Sequence, residues 1–333
     1  MDQQKKEPLV SVCIPTYQHV RFIRQCLDSV LMQQTTFPFE IILGEDGSTD
    51  GTREICQEYA DKHRDIIRLF LRDRADVIYI AGRPTGRYNF TQNILAAKGK
   101  YIALCDGDDY WLDPQKLQKQ FDFMEANPTH AVCYHNAVTV DEEGKTLSEQ
   151  RISKNGLRDY SAIELQKKKW ILVLSMFFRN GLISFPDEFF KVINADTFLI
   201  SLLGAHGSGK FMSDIQGAYR MNAGSIWNSQ SVFYQKVGVV RTFGWISRYY
   251  SRKNNTELAG HFLHEFSVHF AKMLEEYHRL PDANQAMAIG ILIKEHFELM
   301  TPARFELLLN YKKASLFEKG QDLLKRVIRK LTR

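Results

Sequence analysis

The chain has 333 residues, 44% of them hydrophobic, 25% charged and 12% aromatic, which excludes a disordered or fibrous protein and is long enough for one large domain plus an appendage. A formal net charge of only +5 argues against nucleic acid as a partner. Five cysteines without any C-x-x-C spacing (Cys13, Cys26, Cys56, Cys105, Cys133) lead us to expect reduced, mostly buried thiols in a cytoplasmic protein. In chain order, Val10–Ile14 reads as a strand stopped by Pro15. Val20–Gln33 has helical spacing, with Phe22, Ile23, Cys26, Leu27, Val30 and Leu31 on one side. Phe39–Leu43 is a second strand, Thr52–His63 a second helix, Ile66–Leu71 a strand, Phe90–Ala97 a short helix and Tyr101–Cys105 a strand. Pro114–Asn127 is a helix bounded by Pro114 and Pro128, and Ala131–His135 resumes strand character. Such alternation predicts an α/β fold with a mostly parallel sheet and helices on both faces over residues 1–227. Residues 228–333 carry only helical patterns: Val232–Tyr250, Glu257–Arg279, Asn284–Met300, Ala303–Tyr311 and Leu316–Leu331.

Acidic residues gather where strands end. Asp106, Asp108 and Asp109 follow the strand that closes at Cys105, and the strand ends of an open α/β sheet line its ligand crevice. Clustered carboxylates repel unless a cation or several donors sit among them. Oxygen ligands suit Mg²⁺ or Mn²⁺, although Asp and Gly also make ordinary solvated turns. A second cluster, Glu45-Asp46-Gly47-Ser48-Thr49-Asp50, follows the second strand. Thr49 and Asp50 read as caps of the next helix, whereas Asp46 comes too early to cap and can accept from a base ring N–H or a ribose hydroxyl. Tyr17, just past the first strand, offers a ring for stacking on a planar base.

The stretches Val10 to Tyr17, Ile41 to Thr52 and Ala97 to Trp111 resemble family 2 glycosyltransferases, inverting nucleotide-sugar enzymes of GT-A fold, and the resemblance runs from about Leu9 to Trp227. It implies that Pro15 and Tyr17 line a base pocket and that Asp46 contacts the base. It also implies that Asp106 and Asp108 hold ribose and a divalent metal, Mn²⁺ or Mg²⁺, on the diphosphate. Gly86 to Asn93 matches as well, with Arg87 expected near the diphosphate and Asn93 near the nucleoside; a glycine turn and an ordinary surface helix is the competing reading. The family's general base falls on Asp196 in Asn194-Ala195-Asp196, with a helix cap as the competing reading. Tyr219-Arg220-Met221-Asn222 resembles a Tyr-Arg-x-His segment closing over the donor, with Asn222 in the His position; Arg220 is then a donor contact or a buried structural arginine.

Two other patterns carry less. Gly204 to Lys210 spells the glycines and lysine of a P-loop, but Phe211 follows where Ser or Thr is needed, so a turn after a helix is expected. His261, His264 and His269 share a helix with Glu265 without the spacing of a zinc site. The segment Leu316–Arg333 puts six basic residues against two acidic ones on an amphipathic pattern, so peripheral association with the inner face of the membrane is expected there. The helical region is also the expected surface for a homo-oligomer. These readings converge on a metal-dependent inverting hexosyltransferase. It would move one sugar per encounter from a nucleotide-sugar, a UDP-sugar for preference, to a saccharide or lipid-linked glycan in cell-surface polysaccharide synthesis. A non-catalytic nucleotide-sugar-binding scaffold is the rival from another class.

Overall fold

A computed structural model describes residues 7–167, 169–222, 231–277 and 282–299. Along the chain run β1 (Val10–Thr16), α1 (Ile23–Leu31), β2 (Phe39–Glu45), α2 (Thr52–Lys62), β3 (Ile67–Leu71), β4 (Ile78–Ile80), β5 (Arg83–Thr85), α3 (Arg87–Ala96), β6 (Tyr101–Leu104), β7 (Tyr110–Trp111) and α4 (Lys116–Ala126). There follow β8 (His130–Val140), β9 (Thr146–Ser148), α5 (Ala162–Gln166), β10 (Phe177–Arg179), α6 (Ala195–Gly204), β11 (Ser208–Arg220), α7 (Val232–Arg252), α8 (Thr256–Tyr277) and α9 (Ala283–Glu295). Contacts group the chain into two compact units, Met1–Phe185 with Leu199–Ser225, and Pro186–Phe198 with Ile226–Arg333. A single cut after Trp227 therefore does not describe residues 186–198, which go with the helices.

The first unit is built on one sheet of order β3-β2-β1-β6-β10-β8-β11-β7, with β9 on β8. The strands β3, β2, β1 and β6 pair in parallel, whereas β10 is antiparallel to both neighbours and β7 to β11. Side-chain alternation puts helices on both faces. Val10, Val12 and Ile14 of β1 join Ile23, Cys26, Leu27 and Val30 of α1 and Ile55 and Cys56 of α2 in one core. Residues of the other parity meet α3 and the turn after it: the Cys13 thiol donates to the Asn93 carbonyl, and Ser11 Oγ accepts from the Lys98 and Gly99 amides at 3.1 and 2.8 Å. Pro15 does not end its strand; it stays in register with Gly44. Its carbonyl still accepts from the Gly107 amide on the β6 side at 3.0 Å, so the strand keeps pairing past the proline.

Four strands of this sheet have no counterpart in the sequence pattern. β10 is three residues at the end of an apolar stretch, closing on Arg179, β9 is three exposed residues and β7 is two. β11 is thirteen residues, but a register shift between Phe211 and Gln216 breaks its alternation. The P-loop-like segment is a turn: α6 ends at Gly204 and β11 starts at Ser208. Between them Gly207 has φ +153°, and a Cβ there would lie 2.2 Å from the Thr129 carbonyl oxygen.

In the second unit α7 buries Phe233, Val237, Val240, Phe243, Ile246 and Tyr250, and α8 buries Leu258, Phe262, Phe266, Phe270 and Met273. Both sets recur every three or four residues, the spacing of one helix face. Thr242 Oγ1 on α7 accepts from the amides of Ile193 and Asn194 at 3.2 and 3.1 Å, fixing the approach to α6. Among the described residues no helix is long and apolar enough to cross a membrane. The helices expected at Ala303–Tyr311 and Leu316–Leu331, and with them the basic membrane-associating face, lie outside the described residues.

Lys116, at the start of α4, is fully buried. Its Nζ sits 4.0 Å from the Trp111 ring centroid and donates to Gln120 Oε1 at 2.6 Å. Burial pushes its ammonium down to about 7. Between that value and the unfolded value near 10.5, the unfolded chain holds the extra proton, so this residue makes stability rise with pH. Below the window the charge stays buried at a cost. Lys116→Met should therefore stabilise the fold at neutral pH, by about 1–4 kcal/mol, and flatten the slope of Tm against pH between about 7 and 10. Thermal unfolding across that range checks both.

Candidate active site

The C-terminal ends of β2, β1 and β6 lie side by side, because the three strands are parallel neighbours. Two backbone bonds extend the ladder past the strands: the Asp46 amide donates to the Thr16 carbonyl, and the Gly107 amide to the Pro15 carbonyl, each at 3.0 Å. Tyr17, Asp46 and Asp106 are thus delivered to one crevice, and Pro15 is half-buried beneath it.

Asp46 is only 2% exposed. Its Oδ2 accepts from Arg74 at 2.9 Å, while Oδ1 is buried without a hydrogen-bond partner among the described residues. Burial raises this carboxyl to about 6 even against the pull of Arg74. A buried acceptor left unpaired costs stability, so Oδ1 suits a ligand N–H or O–H. The Arg74 guanidinium lies 4.2 Å over the Tyr17 ring, which is 36% exposed. The approach depends on Gly47, at φ +77°, where a Cβ would stand 2.7 Å from Arg74 Cγ. Arg74 gave no sequence signal: it sits in a three-residue turn, and only the folded loop brings it to Asp46.

The three acids after β6 divide by environment. Asp109 is buried, its Oδ1 accepting from the Arg220 amide at 2.8 Å. Burial, then repulsion from Asp108 and Asp106, pushes its carboxyl well up. Asp106 and Asp108 remain partly accessible. Asp108 Oδ2 accepts from Asn222 Nδ2 at 2.7 Å and faces His19 Nε2 at 3.9 Å. Among the described residues no three His, Cys, Asp or Glu side chains form a group that could hold a metal ion. Asp106 and Asp108 are the accessible oxygen donors of the turn, and a divalent ion held by two such carboxylates would have to take most of its shell from phosphate and water.

Other expected contacts are placed differently. Arg220 is 3% exposed, and its guanidinium is engaged by protein: Nε donates to the Asp108 carbonyl, Nη1 to the Asp141 and Glu142 carbonyls, and Nη2 to Gln25 Oε1. In this arrangement the side chain frames the acid turn, as the buried structural arginine of the two sequence readings would. Asn93 is fully buried; its Oδ1 accepts from Arg72 at 2.6 Å, and Asn89 Oδ1 accepts from Arg72 Nε at 2.8 Å. A Cβ on Gly44 would come 2.1 Å from Asn89 Oδ1 and 2.3 Å from Asn93 Oδ1, so both asparagines pack directly against β2. Arg87 is 5% exposed at the start of the same helix. The buried face of α3 is thus largely polar, which an ordinary surface helix would not show. Asp50 binds the Thr52 and Val20 amides as a loop tie, whereas Thr49 donates its amide to Gln18 Oε1. Asp196 stands in the first turn of α6, within the segment Pro186–Phe198 that groups with the helical unit.

Comparison with known proteins bears on these features. Residues 11–186 match the family model for glycosyl transferase family 2. An uncharacterised protein of Mycobacterium tuberculosis is 32% identical over 235 residues, 71% of this chain and 65% of its own length, so a third of that relative lies outside the match. TuaG of Bacillus subtilis, whose name assigns it provisionally to teichuronic acid biosynthesis as a glycosyltransferase, is 35% identical over 35% of this chain and 42% of its own. Among solved structures, Staphylococcus aureus TarS in complex with UDP-GlcNAc superposes with a TM-score of 0.61 at 17% identity, covering 96% of this chain and 90% of that one. The mannosyltransferase PcManGT from Pyrobaculum calidifontis, in complex with GDP-Man and Mn²⁺, gives 0.51 at 15% identity, over 96% and 88%.

Removing the Arg220 guanidinium should unsettle the fold itself. Arg220→Met leaves the carbonyls of Asp108, Asp141 and Glu142 without their donor, at about 1–3 kcal/mol for each that stays dry. We expect Tm to fall by roughly 5 °C or more, measured by calorimetry without any ligand. An unchanged Tm would return Arg220 to the role of a ligand contact.

Proposed function

The chain belongs to glycosyl transferase family 2, and on that premise we propose that it moves one sugar from a UDP-sugar to a hydroxyl of a saccharide or lipid-linked glycan, with inversion at the anomeric carbon. The observation that carries this reading is the meeting of Tyr17, Arg74 and the unpaired Oδ1 of Asp46 with the carboxylates of Asp106 and Asp108 on neighbouring strand ends. A uracil edge offers C=O, N–H, C=O. The Asp46 acceptor beside the Arg74 donor complements that order, and Tyr17 supplies a stacking face. The UDP-GlcNAc bound by TarS supports the choice of nucleotide, and the name of TuaG supports a cell-surface glycan as acceptor.

In this reading Asp106 holds the ribose, and Asp106 and Asp108 hold a divalent ion. When bound, that ion offsets charge on the diphosphate. Asn222 and the backbone framed by Arg220 keep the Asp108 carboxylate in place. Asp196 takes the proton from the acceptor hydroxyl as the oxygen bonds to the anomeric carbon, and the bond from that carbon to the diphosphate breaks, releasing UDP. Thr242 on α7 positions the turn from which Asp196 projects.

Asp196→Asn keeps the size of the side chain but removes its basicity. Turnover should fall by ~10²–10⁴-fold while UDP affinity stays as it was. Near wild-type turnover would move the base elsewhere, and transfer absent from the wild-type protein across a panel of UDP-sugars with Mn²⁺, alongside tight binding, would favour the non-catalytic scaffold.

Asp46→Asn tests the base pocket. A hydrogen bond to a charged group is worth about 1.5–3 kcal/mol, so UDP should bind roughly tenfold or more weakly. In the wild type the ionised carboxylate is the acceptor, and it protonates near 6. Affinity should therefore drop as pH falls below that value, by up to about tenfold per unit, and the Asn variant should lack this dependence. Calorimetric titration between pH 5 and 8 reads both effects.

A further inference from the structure

His19 drew no attention in the sequence, yet it lies against the acid pair. Its Nδ1 is 3.2 Å from Thr16 Oγ1, and its Nε2 is 3.9 Å from Asp108 Oδ2 with the ring partly accessible. That second distance is too long for a hydrogen bond. It falls within the roughly 3.0–4.2 Å that separates two ligands sharing one ion at bonds of ~2.1 Å. When Nδ1–H donates to Thr16, Nε2 turns its lone pair toward Asp108, the tautomer a metal ligand needs. Space is reserved for this arrangement. A Cβ on Gly107, the central residue of Asp106-Gly107-Asp108, would stand 2.6 Å from Thr16 Oγ1 and 2.9 Å from His19 Nδ1. From the far side Asn222 donates to the same Asp108 oxygen, so the carboxylate is clamped between β11's extension and the loop after β1.

We propose that His19 is a nitrogen ligand, joining Asp108, for the divalent ion at the donor diphosphate, and that it biases the site toward Mn²⁺ or Co²⁺ over Mg²⁺. This rests on the donor-site reading given above. The chemistry is that of ligand preference: imidazole suits first-row transition ions, whereas Mg²⁺ holds to oxygen and water. The carboxylate pair alone would accept either class. One imidazole at the rim converts an indifferent site into a selective one.

The test uses the full-length protein with UDP and Mn²⁺. Electron spin-echo spectroscopy of bound Mn²⁺ should show coupling to an imidazole ¹⁴N, absent in His19→Asn, which keeps a polar group for Thr16 on a shorter side chain. By calorimetry, the ratio of UDP affinity in Mn²⁺ to that in Mg²⁺ should fall about tenfold or more in the variant, with UDP binding in EDTA unchanged. No nitrogen coupling in the wild type, or an unaltered ratio in His19→Asn, overturns the proposal. The EDTA measurement separates the two layers: metal-free UDP binding that needs Asp46 but not His19 upholds the donor pocket even if His19 fails. Absence of UDP binding under every condition removes the donor reading, and this proposal with it.

Discussion

Three carboxylates within four residues must be held against their mutual repulsion, and one buried guanidinium is the main means of doing so. Arg220 reaches from the end of β11 to the Asp108 carbonyl, to the Asp141 and Glu142 carbonyls and to Gln25, while its amide satisfies Asp109. Its plane also rests 4.8 Å from the Phe22 ring centroid. The cation fixes the backbone that aims the acids. Once the turn is fixed, repulsion within the cluster is relieved by division of labour: Asp109 is pushed toward its neutral form, and the more accessible Asp106 and Asp108 are left for a cation. A helix dipole or a scattered set of amides would not achieve this, because only a planar fork can serve carbonyls from two separate loops at once.

What was legible in the sequence follows from where information is local. Parallel strands β1, β2, β3 and β6 are mostly apolar runs, broken by Ser11, Glu40 and Arg68, with Pro, Gly or Asp at or just past their ends, so both their existence and the location of the crevice could be read. Tyr17, Asp46, Asp106 and Asp108 were found because each sits directly after such a run. The edges of the sheet were harder. β10 and β7 owe their strand character to neighbours and not to composition, and β11 loses its alternation at a bulge. Arg74, His19 and Arg220 act across sequence separations that no periodicity encodes. Helix α3 shows the same limit: it packs a polar face on the sheet, and its asparagines grip Arg72, so the apolar-face rule had nothing to detect.

The glycines around the crevice share one physical function. Gly44, Gly47 and Gly107 each stand where a Cβ would strike a polar side chain of the site or its support, Asn89, Arg74 and Thr16 respectively. They are not there for flexibility. They let backbone and side chain approach within a single atomic layer, which is how a small crevice can hold a guanidinium, an aromatic ring and several carboxylates without a void.

All five thiols are buried, and three lie directly below this crevice: Cys13 against α3, and Cys26 and Cys105 with their sulfurs 3.8 Å apart under the acid turn. Burial pushes the thiols of Cys13 and Cys105 well above the ordinary value and those of Cys56 and Cys133 up to about 12, so thiolate is scarce and alkylating reagents have no route in. Modification then requires local opening. The native protein thus carries its own clock: the rate at which each thiol is labelled reports how often the floor beneath the strand ends breathes, and occupancy of the crevice would slow Cys26 and Cys105 while leaving Cys56, on the buried face of α2, to keep its own time.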